Sequence, residues 1–519
     1  MIQSLLVITI ALPLMASLLT AASWLFFNNR GEQGENLTAL TLIAACFVSM
    51  AGITALSIIY LAQPVIQPIV VDLDDWFTSG KLKIHLRFVV DYVSLGFAGV
   101  ISMVAFVTVL FSRNYLHREA GFQRYFAVMG MFISAMLAIT FSGNAVAAFL
   151  GWELVGASSY LLIAFNYHRV VAADNANRAF ITNRVGDAGF LLAIYLGFHW
   201  LGNTNWLVIG PTSTAVPQWE TGLIATGIVI AAMAKSAAVP FSSWISRALE
   251  GPTPSSAIFY GSVMVHAGVF LLIRIAPLTE QVPALQVLLV ITGLATAIYG
   301  YLCALVQTDV KSALMFSTTA QVGLMFVECG LGYHDLALAH LLVNAVWRAY
   351  QFLHAPAQMH FSVYRARQVP DWLQKRQFLY TAAIQRFWLD DFADAMVVRP
   401  SGSLASEVKM FDREVIGHLA GFPTQAGTVS SIGDWEHKKM SGVMTASANS
   451  SELGLLGRIM DRTSRMFHWF EEQLVLKGSG EGLTAVIGKL GAKVQHVEAL
   501  FCQPRYLWLM ILATAIVVL

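Results

Sequence analysis

Charge is what this chain of 519 residues has least of. Asp, Glu, Lys and Arg make up 12% of it, against about 25% in soluble domains. The formal net charge of +1 leaves no basic excess, which argues against a nucleic-acid partner. Cysteine is scarce as well. Cys46, Cys303, Cys329 and Cys502 show no CxxC spacing, so neither a metal cluster nor a disulfide framework is expected. No Gly-rich dinucleotide loop follows a strand, and no haem-binding or iron–sulfur pattern occurs. No cofactor is therefore expected in this subunit. What the chain does have is apolar surface, with 56% hydrophobic residues and a mean hydropathy of +0.63, the composition of a multi-span membrane protein in a lipid bilayer.

A helix crosses the hydrocarbon core with about 20 mostly apolar residues. Spans are predicted near 4–26, 38–62, 90–112, 124–141, 144–165, 179–201, 222–239, 255–277, 285–306, 312–331 and 336–353, with a short one at 504–519. The expected fold class is all-α, a polytopic membrane protein of about 12 transmembrane helices. The opening run MIQSLLVITIALPLMASLLTAASWLFF lacks a basic n-region and an A-x-A site. It reads as a first spanning helix and not a cleaved signal. Residues 1–112 form N-terminal helices with an outer hairpin loop, and 113–360 the core. Residues 361–503 form a cytoplasmic or interfacial amphipathic region, with a further span around 378–398 as the alternative, and 504–519 the last helix. Loops after odd-numbered spans carry Arg30, Arg113, Arg118, Arg124, Arg169, Arg178, Arg184, Arg247 and Lys311; the opposite side carries Lys81, Lys83 and Arg87. By the positive-inside rule this puts the N-terminus outside the cell (inner) membrane and residues 354–503 on its cytoplasmic side.

Ionisable residues inside spans are costly and usually face a bundle interior or a water path. Glu153 stands in GWELVGASSYLLI, Lys235 in AAMAKSAAVPFSSW, His266 in YGSVMVHAGVFLLIR and Glu328 late in the tenth span. His340, Asn344 and Arg348, spaced by four, share one helix face. Glu153 and Lys235 read either as a structural ion pair or as proton-handling groups whose protonation changes together. His266 reads as a satisfied core histidine or a relay member. Arg184 with Asp187, and Asp309 with Lys311, fall near helix ends and read as capping charges or as members of the path. Pro240 and the GPTPSS segment at 251–256 predict helix starts, stops or breaks beside Lys235.

The segments FQRYFAVMGMFISAML, GWELVGASSYLLI, NRVGDAGF, KSAAVPFSSWISRALEGPTPSSA and VQTDVKSALMFSTTAQVGLMF resemble one family. It comprises the antiporter-like membrane subunits shared by respiratory complex I (subunit L, or 5), membrane-bound hydrogenases and multisubunit sodium/proton antiporters. The resemblance covers about residues 70–360. It implies inverted repeats with broken helices. It also implies that Glu153 pairs with Lys235, and that Lys311 and His340 continue a proton pathway. Tyr260 and His266 depart from the complex I pattern, as does Arg348, because arginine hardly releases a proton. A later span with a further lysine and a long lateral helix also look missing. With FYGS, VHAG and WRAYQFLHAP, these departures are similar to the membrane subunits of DAB-type inorganic carbon transporters. That similarity implies a proton- or cation-conducting subunit of a CO2/bicarbonate uptake complex, partnered by a large peripheral zinc protein of the DabA type that carries the zinc. On this reading the chain is a transporter subunit and not an enzyme, with protons or sodium ions as cargo. The proton pathway is expected to comprise Glu153, Lys235, Tyr260, His266, Lys311, His340 and Arg348, supported by Arg184, Asp187 and Asp309. The alternative is a proton-pumping subunit of a complex I or hydrogenase type redox complex; an ion-inert membrane anchor is the third reading. His354 and His360 lack zinc spacing.

Overall fold

In lipid a helix satisfies its own backbone N–H and C=O groups, so long apolar runs fold as helices. The computed structural model describes residues 2–26, 31–79, 82–361 and 369–411. Helices α1 (Ile2–Phe26) and α2 (Gly31–Leu61) precede an antiparallel hairpin of β1 (Ile69–Ser79) and β2 (Leu82–Val90). Then follow α3 (Tyr92–Tyr115), α4 (Phe122–Phe141), α5 (Ala145–Ile163), α6 (Val170–Leu196), α7 (Trp206–Ser213), α8 (Gln218–Lys235) and α9 (Ser243–Arg247). Next come α10 (Thr253–Ser256), which runs into a π turn at Ala257–Ser262, α11 (Ala267–Arg274), α12 (Ala276–Thr279), α13 (Pro283–Leu305), α14 (Val310–Gly330) and α15 (His334–Phe361).

Eight helical stretches among the described residues are long and apolar enough to cross a membrane: α1 to α5, the broken Thr253–Arg274 segment, α13 and α14. The polytopic all-α reading therefore holds. The spans expected at 179–201, 222–239 and 336–353 fall on α6, α8 and α15. These helices are long but carry more ionisable or polar side chains, such as Arg184, Asp187, Lys235 and His340. The Thr253–Arg274 segment is wholly buried and is the innermost of the eight.

Small residues bring the helices close where charge must be packed inside. A Cβ at Gly189 of α6 would meet the Gly227 carbonyl of α8 at 2.8 Å, and one at Gly323 of α14 would meet the Gly293 carbonyl of α13 at 2.7 Å. The hairpin feeds directly into Asp91, which caps α3 by accepting from Ser94 N–H at 2.8 Å. Asn144 caps α5 in the same way, accepting from Ala147 N–H at 2.8 Å, while its amide donates to the His85 carbonyl at 2.8 Å. The strands thus fix the starts of two helices.

Beyond α15, residues 369–398 form a strap of short pieces: α16 (Asp371–Gln374), α17 (Gln377–Ile384), a 3-10 turn, α18 (Leu389–Ala393) and a π turn. No continuous helix forms over 378–398. Leu373 and Ala383 of the strap pack against Leu302 and Leu305 of α13. Helix α19 (Arg399–Phe411) is the described part of a second compact unit that begins at Arg399. The span expected at 504–519 and most of the 361–503 region lie outside the described residues.

Asp91 has a second partner. Arg274 of α11 reaches both its carboxylate oxygens, at 2.5 and 3.0 Å, with both side chains buried. Removing one member of such a pair leaves an uncompensated charge. Arg274→Ala should therefore cost about 3–5 kcal/mol of unfolding free energy. Asp91→Asn with Arg274→Met, which keeps the cap, should recover most of it. Thermal unfolding of the detergent-purified chain measures both.

Candidate functional site

Helix α8 stops at Lys235 because the chain cannot continue helically into Pro240. Ala237 takes a left-handed φ of 51°, and the Val239–Pro240 peptide is cis. Lys235 thus stands at the mouth of a helix break with 1% of its surface exposed. Its Nζ donates to the Trp152 carbonyl at 3.4 Å and lies 5.0 Å from the centre of the Trp152 ring. The indole N–H of Trp152 donates to Asp187 Oδ1 at 2.9 Å. Arg184 lies between the two carboxylates. It is ion-paired with Glu153, and its Nε is 3.5 Å from Asp187 Oδ2. Gly156 leaves the space for the cations: a Cβ there would lie 3.6 Å from both Arg184 Nη2 and Lys235 Nζ.

The four ionisable groups therefore form one cluster of two acids and two bases on three helices. Glu153 makes its direct ion pair with Arg184, not with Lys235. Lys235 joins the cluster through Trp152. Fully ionised, the set is neutral, which a low-dielectric interior requires. Moving one proton off Lys235 leaves one net negative charge for the rest of the chain to respond to.

A second group surrounds the other helix break. Ser236 of the first break donates to the Val265 carbonyl at 2.7 Å, tying it to the turn that ends at His266. His266 is fully buried, and Asn344 Nδ2 donates to its Nε2 at 3.0 Å. One turn earlier on α15, His340 bonds Glu328 through Nδ1 and Gln321 through Nε2, both at 2.9 Å. One turn later, Arg348 donates to Ser317 at 2.6 Å and Gln351 at 2.8 Å. The Asn344 side chain is an amide without a titrating proton, so it holds His266 without relaying a proton itself.

Two expected members stand apart. Tyr260 is buried, but its hydroxyl donates to the Ala248 carbonyl at 2.9 Å and not towards His266. Lys311 lies in the first turn of α14, behind the cap that Asp309 makes on Ser312 N–H at 2.8 Å. It has no ion-pair partner among the described residues. The Asp309 charge is thus a cap, whereas Arg184 and Asp187 lie well inside α6 and belong to the cluster. Sequence reasoning missed Trp152, Gly156, Gln321 and Ser317. Only Trp152 gave a signal, by standing next to Glu153 in an apolar run.

The bundle, its two helix breaks and the neutralised interior charges define a membrane subunit of the antiporter-like class. Residues 142–371 match the family model described as NADH:quinone oxidoreductase/Mrp antiporter, transmembrane region. Residues 76–126 match the N-terminus of NADH-ubiquinone oxidoreductase (complex I) chain 5. Over these residues the chain belongs to the complex I subunit 5/L and Mrp antiporter-like membrane subunit family. NAD(P)H-quinone oxidoreductase subunit 5 of the Paulinella chromatophora chromatophore is 36% identical over 358 residues, 67% of this chain and 53% of that protein. NADH-quinone oxidoreductase subunit L of Campylobacter jejuni is 37% identical over 290 residues, 56% of this chain and 48% of that protein. A chain of the Mrp complex from Dietzia superposes with a TM-score of 0.59 at 26% identity, covering 68% of this chain and 37% of that one. The chain spans about half the length of the curated relatives it matches.

One expectation is corrected here. The sequence reading made the chain a transporter subunit and not an enzyme. The relatives are named as oxidoreductase subunits, so the likeness runs to a component of an enzyme complex. Neither the carbon-transport family nor a zinc-bearing partner is among these matches.

The geometry at Gly156 gives a direct check on the cluster. Gly156→Ala places a methyl at ordinary contact distance and should change stability little. Gly156→Leu drives its side chain between two cations and should cost about 1–3 kcal/mol, read by thermal unfolding. Equal stability of the two variants would mean that Arg184 and Lys235 do not converge there.

Proposed function

We propose that this chain is the proton-conducting, antiporter-like membrane subunit of a complex I- or Mrp-type membrane complex. One observation carries the reading: Lys235, Glu153 and Asp187, all buried, form with the half-buried Arg184 a neutral cluster at a helix break. A merely structural ion pair has no need of a break beside it, whereas a titrating group needs an irregular, hydratable path.

In the mechanism, Lys235 gains and loses the proton. Loss of that proton unbalances the cluster, and Arg184 responds by shifting between Glu153 and Asp187. The proton passes by water along the second break, past His266, towards His340 with Glu328. Lys311, in the first turn of α14, stands apart from this path, and Arg348 supplies a fixed positive charge. Asn344 interrupts direct transfer between the two histidines, so hydration of the break gates the step. A membrane potential drives each charge with about 2.3 kcal/mol per 100 mV. The N-terminus is placed outside and residues 354–503 on the cytoplasmic side, following the distribution of Lys and Arg. The proposed partners are the other membrane subunits of such a complex and its redox subunits.

A narrower reading rests on Tyr260, His266 and Arg348, where the sequence leaves the complex I pattern. It makes the chain a DabB-type subunit that drives CO2 hydration in a DabA-type zinc partner. Purifying the tagged chain in mild detergent separates the two. Co-purifying flavin, quinone or iron–sulfur subunits support the redox complex, whereas a single large zinc-bearing soluble subunit overturns it for the narrower reading. In vesicles, Lys235→Ala and Glu153→Gln should each abolish proton flux with assembly unchanged. Loss of assembly in both would make the cluster structural.

A further inference from the structure

We propose that Asp390 is a positioning residue for Lys235 and acts on it through the five-residue helix α9. The inference rests on the proton-conducting reading above. Helix α9 is clamped at both ends. At its start, the indole N–H of Trp244 donates to the Ala234 carbonyl at 3.0 Å in the buried interior. Ala234 directly precedes Lys235, so this bond holds the last turn of α8. At its end, Arg247 donates to Asp390 Oδ2 at 2.9 Å. Arg386 Nη1 donates to Ser246 Oγ at 2.8 Å and to the same Asp390 oxygen at 3.1 Å.

Five residues of helix are about 7.5 Å long, too short to bend between two clamps. A displacement at Asp390 therefore reaches the backbone beside Lys235. The strap also holds the other half of the cluster: Asp394 accepts from Arg178 of α6 at 2.6 Å, and α6 carries Arg184 and Asp187. One strap thus grips α6 directly and the last turn of α8 through α9.

The strap itself is under tension. Arg386, Phe387 and Trp388 take left-handed φ angles of 51°, 55° and 52° in succession. Side chains with a Cβ hold that conformation only where their surroundings impose it. Here Phe387 packs on Tyr299 of α13, with ring centres 6.0 Å apart, and Arg386 lies 5.9 Å from the Phe316 ring centre of α14. Asp390 Oδ1 and Arg247 Nε are buried without a partner among the described residues. Their pairing is thus unsaturated, and a second arrangement of the same two side chains is open to it.

The test uses the full chain with whatever co-purifies, measured by amide hydrogen exchange and by proton flux in vesicles. Asp390→Asn should speed exchange of the 234–247 amides and lower flux by about two- to thirtyfold, and Asp390→Glu should restore both. Trp244→Phe cuts the lever at its other end. The double variant should then be no worse than Trp244→Phe alone. Unchanged exchange at 234–247 in Asp390→Asn, or additive losses in the double variant, would overturn the proposal. If Asp390→Asn fails to assemble, Arg386→Gln runs the same cycle with Trp244→Phe. A wild type without proton flux sinks the proton-conducting reading, while exchange at 234–247 still decides the lever.

Discussion

An ammonium group sealed from water must find its compensation in the protein, because the cost of stripping its hydration is several kcal/mol. Lys235 is in that position, and the surrounding structure answers to it. Trp152 offers a carbonyl and a ring face to the ammonium, and passes its indole N–H to Asp187. Glu153 and Asp187 supply the negative charge, and Arg184 keeps them from an excess of it. The close approach of α6 and α8 at Gly189 and Gly227 brings these groups within reach of one another. Each element is modest alone; together they make a charged cluster tolerable inside an apolar bundle.

The same constraint explains the helix breaks. A continuous helix leaves no backbone group free and no room for water, so a titrating side chain in its middle would be isolated. Ending α8 at Lys235 and interrupting the Thr253–Arg274 segment before His266 removes that isolation at two adjacent places. Ser236 joins the two breaks by one hydrogen bond to Val265, so they form a single irregular zone. Asn344 divides this zone from the Glu328–His340 pair. An amide at that place keeps the imidazole oriented and carries no titrating proton of its own.

The family likeness and the local departures act on different levels. The fold is that of the antiporter-like membrane subunits whose family models match residues 76–126 and 142–371. Tyr260 and Arg348 sit in this architecture with partners of their own. Tyr260 ties the broken helix to the Ala248 carbonyl, and Arg348 stays charged against Ser317 and Gln351. The strap over residues 369–398 adds a mechanical connection from the end of α13 to α9 and α6.

Much of this was legible in the sequence. Apolar runs of spanning length placed the helices, since lipid leaves the backbone few other choices. The rarity of interior charge singled out Glu153, Lys235, His266 and His340, because each such residue is costly enough to need a reason. The four-residue spacing put His340, Asn344 and Arg348 on one face. Pairing was not legible. Arg184 and Asp187 looked like helix-end charges because the start of α6 was set near residue 179, whereas the helix begins at Val170, so both lie well along it and Asp187 is buried. That Glu153 meets Arg184, that Lys235 rests on Trp152, and that Asp390 reaches Arg247 depend on which helices cross and how closely. Hydropathy and periodicity report what one segment does with water. Partners far apart in sequence are chosen by packing, and only the tertiary structure decides them.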